Sequence, residues 1–176
     1  EQLYDIVLLA LFSGLRAGEI FSLEWPDIDF NRQTIFVRNP KNRQGRIVFM
    51  TVRVRDMLAR RFSMDNRGYV FKDSRHGGRI ERISNTFMKT VNKLGLNAQA
   101  KDRRDKIVFH SLRHSYASWL VQGGVDLFVV GELLGHKTLS MTKRYSHLSP
   151  ATLQAAIKKL DQPEPATVVE MQKTGA

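Results

Sequence analysis

The sequence predicts an α+β domain that is mostly α-helical and carries one small antiparallel β-sheet. Apolar residues recur at helical spacing in several separate segments. Two neighbouring runs, TIFVR at 34–38 and RIVFM at 46–50, are rich in the β-branched and aromatic residues typical of strands. Between them NPKNRQG, with Pro40 and Gly45, predicts a hairpin loop.

The other elements follow in chain order. LYDIVLLALF predicts a buried first helix that ends at Ser13 and Gly14, AGEIFSL a short second helix, and WPDIDF a turn before the first strand. Further helices are predicted at 54–62, from Ile80 to Leu94, at 111–122 and at 127–134. YVFK at 69–72 predicts a short third strand. The polar segment 96–107 predicts a mobile loop. Ser149 and Pro150 predict the start of a final helix.

Composition limits the function. The chain has 28 Lys and Arg residues against 17 Asp and Glu, a formal charge of +11, which favours a polyanionic partner. A merely basic protein without such a partner is the alternative. The absence of cysteine excludes disulfide scaffolds, thiolate catalysis and Cys-based zinc sites. The longest apolar run, IVLLALF, is far shorter than the ~20 residues of a membrane-spanning helix.

Two arginines occupy positions suited to anion binding. His110 and Arg113 lie three residues apart at a predicted helix start, where a guanidinium and the helix N-terminus both favour a phosphate. A surface arginine paired with a carboxylate is the alternative. Arg16 lies in the tight turn of FSGLRAGEI, with Glu19 three residues later. A simple ion pair that joins two helices would explain that pattern equally well.

Three further residues are weak candidates when each is taken alone. Lys41 is the only lysine of the predicted hairpin loop, where solvated lysines are common. His136 could belong to a helix C-cap at Gly135, and Tyr145 could be a half-buried aromatic residue. As a set, two arginines, two histidines, a lysine and a tyrosine suit metal-free attack on a phosphodiester, with no cofactor. The guanidinium groups would offset phosphate charge, and a lysine or histidine would protonate the departing oxygen.

The motifs GLRAGE and HSLRHSYASWLVQGGVDLFVVGELLGHKTLSMTKRYSHL resemble the catalytic domain of the tyrosine recombinases, the family of phage integrases and chromosome-dimer-resolving recombinases. The resemblance covers roughly residues 3–150. It implies the tyrosine recombinase catalytic-domain fold for 1–161, with 162–176 as a flexible tail. The N-terminal DNA-clamping domain usual in the family has no counterpart here, so the chain is expected to be a fragment.

The resemblance also implies a role for each candidate. Arg16 and Arg113 would clamp the scissile phosphate, Lys41 would protonate the 5′-oxygen, and Tyr145 would form a 3′-phosphotyrosyl link. His110 would assist proton transfer at the tyrosine, and His136 would hydrogen-bond the phosphate. The supporting residues are Glu19 behind Arg16, and Arg43, Lys137, Lys143 and Arg144 on the DNA backbone. His114 and His147 match no catalytic position and are expected to be structural or to face DNA.

The resemblance predicts metal-independent strand cleavage and rejoining on double-stranded DNA, in the bacterial cytoplasm or nucleoid. It implies a monomer in solution, a homo-tetramer on synapsed DNA, and accessory DNA-bending or directionality proteins. The segment from His136 to Tyr145 is expected to be a mobile arm that carries the tyrosine at the end of a basic helix. Two alternatives remain: a type IB topoisomerase-like relaxing enzyme, and a DNA-binding module without activity.

Overall fold

The computed structural model describes residues 2–38, 45–63, 67–82 and 85–148. Within these ranges the chain forms helices and one three-stranded antiparallel sheet, so the predicted α+β class is confirmed. The helices are α1 Gln2–Ser13, α2 Ala17–Phe21, α3 Val52–Arg61, α4 Asn85–Lys93, α5 Phe109–Gln122, α6 Leu127–Leu134 and α7 Ser140–Lys143. The strands are β1 Ile28–Asp29, β2 Thr34–Val37 and β3 Arg46–Phe49.

The sheet follows the order β1-β2-β3, and its two long strands are the two that the sequence predicts. In β2, Ile35 is paired with both Ile28 of β1 and Val48 of β3. Side chains alternate between the two faces of a strand, so Ile35 and Val48 enter the core while Phe36 points to solvent. The inner-face residues Ile35 and Val48 belong to the same buried cluster as Val54 and Leu58 of α3.

The third strand is not the one predicted. It comes from WPDIDF, which was expected to be a turn, whereas YVFK makes two isolated bridges, from Tyr69 to Glu24 and from Lys72 to Arg79. The backbone N–H of Val70 donates to the carbonyl of Leu23, so YVFK pairs with the chain that precedes β1. Propensity recognised an extended segment here but could not choose its partner.

Helix α4 begins later than predicted. The expected start was Ile80, but residues 79–82 are not helical, and Arg79 forms a β-bridge with Lys72 that keeps the chain extended. The segment 96–107, predicted to be a mobile loop, contains no α-helix or strand and one short 3-10 helix at Arg103–Asp105. The side chain of Asn97 joins its two ends, accepting from the backbone N–H of Ile107 and donating to its carbonyl.

The core has two clusters of buried apolar residues. The larger gathers α1, α2, the sheet, α3, α4 and the start of α5, and the smaller joins the rest of α5 to α6 and Tyr145. Phe109, Arg113, Ala117 and Val121 recur every four residues, so they form one buried face of α5. Phe109 belongs to the larger cluster and Ala117 to the smaller. Arg113 therefore lies on the helix between the two cores.

Several predicted features lie outside the described residues. They are Lys41 and Arg43 of the hairpin loop, the helix expected after Pro150, and the tail at 162–176. Among the helices that the structure describes, none is both long and apolar enough to cross a lipid bilayer.

Leu9→Ala should destabilise the fold strongly, because Leu9 is fully buried in the larger cluster between α1 and its neighbours. A truncated buried leucine typically costs about 2–5 kcal/mol. Urea denaturation followed by far-UV circular dichroism measures the change. Leu94→Ala is the control, since Leu94 is 64% exposed and should change the free energy of unfolding by less than about 0.5 kcal/mol.

Candidate active site

A small, strongly basic cavity lies between α5, the turn after α1 and the segment after α6. Its volume is about 220 Å³. Five of the six predicted catalytic residues line it, and the sixth, Lys41, lies outside the described residues. The lining residues are Arg16, His110, Arg113, His114, His136, Ser140, Met141, Arg144 and Tyr145. Residues far apart in sequence are thus brought to one site that can hold an anion.

Arg113 is almost fully buried, with an exposed fraction of 3%. Its Nη1 donates to the carbonyl of Gly14 at 2.5 Å, and its Nη2 donates to the carbonyl of Leu134 at 2.6 Å. These carbonyls lie at the C-terminal ends of α1 and α6, where backbone acceptors lack helical partners. Arg113 therefore ties both helix ends to α5, which rules out the surface ion pair considered from the sequence.

Gly14 produces the turn that carries Arg16 into the cavity. Its φ of +65° favours glycine, and a Cβ there would lie 2.5 Å from the ring of Tyr116. After this turn the backbone N–H of Arg16 donates to Oε2 of Glu19 at 2.7 Å, and its Nη1 donates to Oε1 at 3.1 Å. The predicted Arg16–Glu19 pair is present, and the carboxylate holds both the backbone and the side chain of Arg16.

Arg46, at the first position of β3, holds the same carboxylate from the other side. Its Nη1 and Nη2 donate to the two oxygens of Glu19 at 2.7 and 2.9 Å. The stem of Arg46 also lies beneath Gly135, where an added Cβ would be 2.7 Å from its Cδ. Arg46 therefore links the base of the hairpin to Arg16 and to the turn that precedes His136.

His136 follows the C-cap of α6, as the sequence suggested. Gly135 adopts a left-handed conformation with φ of +63°, and the backbone N–H of His136 donates to the carbonyl of Gly131. The ring Nδ1 lies 2.8 Å from Oγ1 of Thr142, which is fully buried. The cap sets the direction of the histidine, and the threonine fixes its ring.

Tyr145 lies in the smaller core cluster with an exposed fraction of 5%. The residue was expected at the end of a basic helix on a mobile arm, but α7 ends at Lys143 and the tyrosine ring packs inward. Its hydroxyl lies 2.6 Å from Nδ1 of His114. The His114 ring in turn packs edge-on against the ring of His110, with centroids 4.8 Å apart.

The cavity disfavours positive charge on its own histidines. Burial, followed by the charges of Arg113 and Arg16, lowers the pKa of His136 to about 4. Burial and the nearby arginines also lower the pKa of His110, and burial raises the pKa of Tyr145. Burial and Arg16 lower the pKa of Arg113 to about 10, so it remains charged at neutral pH. The site therefore combines charged arginines with neutral histidines and a neutral phenol.

Three residues of the site were given no role in it from the sequence: Arg46, Thr142 and His114. Arg46 looked like an ordinary first strand residue, and Thr142 like one of several hydroxyl residues around α7. No local signal identifies either, because their roles arise from contacts between distant segments. His114 carried a signal: it follows Arg113 and lies four residues after His110, on the same helical face.

Three of the four basic residues predicted to contact the DNA backbone follow α6, and the fourth, Arg43, lies outside the described residues. Arg144 lines the cavity, and Lys137 and Lys143 are exposed on the same segment after α6. Charged side chains on this rim extend the positive field of the cavity toward solvent.

Comparison with known proteins identifies the family of the chain. The family described as "Phage integrase family" matches residues 2–152, most of the chain. The chain belongs to the phage integrase family. It is 28% identical to the integrase of Salmonella phage P22 over 92% of this chain and 43% of that protein. It is 30% identical to the tyrosine recombinase XerA of Pyrococcus furiosus over 88% of this chain and 53% of that protein.

Solved structures agree with this membership of the phage integrase family. The catalytic domain of bacteriophage HP1 integrase matches with a TM-score of 0.66 and 28% identity, over 94% of this chain and 86% of that one. The XerA recombinase matches with a TM-score of 0.65 and 27% identity, over 93% and 59%. The Tn1549 transposon integrase, solved with transposon right end DNA, shares the fold with a TM-score of 0.71 at 20% identity, over 90% and 59%. The chain spans about half the length of the curated relatives it matches.

Gly135→Ala should cost more stability than Gly95→Ala, although the two glycines have φ values of +63° and +66°. Left-handed backbone strain costs about 1–2 kcal/mol at either position. A Cβ at Gly95 meets nothing within 4 Å, whereas one at Gly135 displaces Arg46. The excess, measured by urea denaturation, should be at least about 1 kcal/mol. Equal losses would show that Arg46 is free to move away.

Glu19→Gln should destabilise the protein at pH 7, by an amount that shrinks in acid. Burial acts to raise the pKa of Glu19, but the hydrogen bonds and charges of Arg46 and Arg16 outweigh it, so the pKa lies below the ordinary 4.5. The stabilisation is therefore complete above pH 4.5 and is lost as the pH falls through the lowered pKa. Unfolding free energies of both proteins from pH 7 to pH 3 test this, with Glu132→Gln as the matched change of charge.

Proposed function

We propose that this chain is the catalytic part of a site-specific DNA recombinase, which cleaves and rejoins DNA strands through a 3′-phosphotyrosyl link without a metal. The observation that carries the proposal is the single cavity shared by Arg16, Arg113, His136 and Tyr145. Membership of the phage integrase family supports the same reaction. Strand exchange is preferred over DNA relaxation because the relatives are named integrases and tyrosine recombinases.

The two arginines would bind the scissile phosphate. Arg113 uses one N–H on each Nη to bind backbone carbonyls, so its guanidinium is already oriented when DNA arrives. The other N–H groups of its fork are the ones we propose for phosphate oxygens. Arg16 is held in the same way by Glu19. Preorganised donors of this kind stabilise developing charge without further rearrangement during the reaction.

Tyr145 would attack the phosphorus while other residues handle charge and protons. His136 is held through Nδ1 by Thr142, which makes Nε2 the nitrogen proposed to hydrogen-bond the phosphate. Lys41, which lies outside the described residues, is proposed to protonate the departing 5′-oxygen. The new phosphotyrosyl bond conserves the energy of the phosphodiester, so a 5′-hydroxyl from a partner duplex can reverse the step and exchange strands.

Double-stranded DNA is the proposed partner, and the formal charge of +11 supports it. We assign Lys137, Lys143, Arg144 and Arg43 to backbone contacts. We further propose that residues 1–161 act as a catalytic domain followed by a tail, monomeric alone and tetrameric on synapsed DNA, aided by accessory proteins. The bacterial cytoplasm or nucleoid is the proposed location.

Tyr145→Phe should abolish the covalent DNA adduct, because the reacting oxygen is lost while the buried ring is kept. Adducts are measured by denaturing gel electrophoresis after incubation with nicked duplexes tiled across the DNA that flanks the protein's own locus. Tyr116→Phe is the matched control, since it removes a hydroxyl from the same small cluster and should leave adduct formation within about twofold of the wild type. An undiminished adduct from Tyr145→Phe would refute the proposal.

A further inference from the structure

The hydroxyl of Tyr145 contacts a histidine to which the resemblance assigned no catalytic role. Nδ1 of His114 lies 2.6 Å from the phenolic oxygen, within the range of a strong hydrogen bond. The two rings lie with centroids 5.9 Å apart, and both residues line the cavity. The ring of His110, the histidine expected to assist proton transfer, packs edge-on against the ring of His114.

A buried phenol needs a proton acceptor before it can attack phosphorus. Burial raises the pKa of Tyr145, although the charges of Arg144 and Arg113 oppose this, so the hydroxyl keeps its proton at neutral pH. A hydrogen-bonded base removes the proton as the new bond forms. That base must lie within hydrogen-bond reach of the phenolic oxygen, as His114 does.

The surroundings of His114 keep it in the neutral form that can accept a proton. Burial, followed by His110, Arg144 and Arg113, lowers its pKa below the ordinary 6.5. The charged and titratable groups that line the cavity around it are His110 and Arg113 from α5, Arg16 after α1, His136 after α6, and Arg144 and Tyr145 after α7, and the segment Ser146–Leu148, which also packs on α5, carries His147. No carboxylate is among these lining residues within the described ranges.

We propose that His114 is the general base that removes the proton of Tyr145 during strand cleavage. This inference rests on the proposed function. The phenolic hydroxyl donates to Nδ1, and Nε2 carries the ring proton. As the tyrosine oxygen bonds to phosphorus, the P–O5′ bond breaks, the phenolic proton moves to Nδ1, and a separate acid protonates the 5′-oxygen. In the reverse step His114 returns its proton to the tyrosine oxygen.

Two DNA substrates distinguish a residue that acts as general base from one that acts as general acid. One is the tiled nicked duplex set, and the other is the same set with sulfur in place of the bridging 5′-oxygen at the cleaved position. A thiolate leaves without protonation, so loss of an acid is rescued by the sulfur substrate and loss of a base is not. His114→Gln, which can accept a hydrogen bond but cannot take up a proton at neutral pH, is compared with Lys41→Ala on both substrates.

His114→Gln should reduce the rate of adduct formation by about a hundredfold or more on both substrates. The wild-type rate should fall in acid as His114 becomes protonated, and this fall should disappear in the variant. In His114→Ala, added imidazole should restore cleavage, which keeps the test decisive if the glutamine packs poorly. His76→Gln, an exposed histidine outside the cavity, should behave as the wild type.

Two results would overturn the inference while leaving the proposed function intact. One is a wild-type rate in His114→Gln, and the other is its rescue by the sulfur substrate, which would make His114 an acid. Absence of an adduct from the wild type on both substrates would contradict strand cleavage itself, and the inference with it.

Discussion

The buried guanidinium of Arg113 is the interaction on which the rest of this structure depends. It lies between two apolar clusters, where an unpaired charge would be costly, and it is satisfied by two helix-end carbonyls. The guanidinium also stabilises the two helix ends, because the C-terminal ends of α1 and α6 carry acceptors and partial negative charge that favour a cation. The group proposed to hold phosphate therefore also sets the positions of the chain segments around it.

A second network extends this frame toward the hairpin. Glu19 is shared by Arg16 and Arg46, and Arg46 also supports the turn before His136. A shared carboxylate couples these segments, so a shift of Arg46 at the start of β3 would displace Arg16 in the cavity.

The sequence predicted the fold class, the two long strands and most helices, because these depend on local periodicity. It also identified five residues that the structure brings into one cavity. It could not identify the partner of YVFK, nor the roles of Arg46 and Thr142, because each depends on contacts between distant segments. The inward packing of Tyr145 was missed for a related reason: the basic residues around it indicated a mobile arm, whereas the residue belongs to a buried cluster with Ala117 and Val121 of α5.

Because Tyr145 lies inward, its proposed role as the attacking residue is the step that most needs a direct test. The direct measurement is mass spectrometry of the DNA-linked peptide, after denaturation of the adduct and digestion with trypsin. Cleavage after Arg144 and Lys158 releases Tyr145–Lys158, a peptide with one tyrosine. We expect a nucleotide remnant on that tyrosine. A remnant on Tyr116, or on any other residue, would contradict the proposed role of Tyr145.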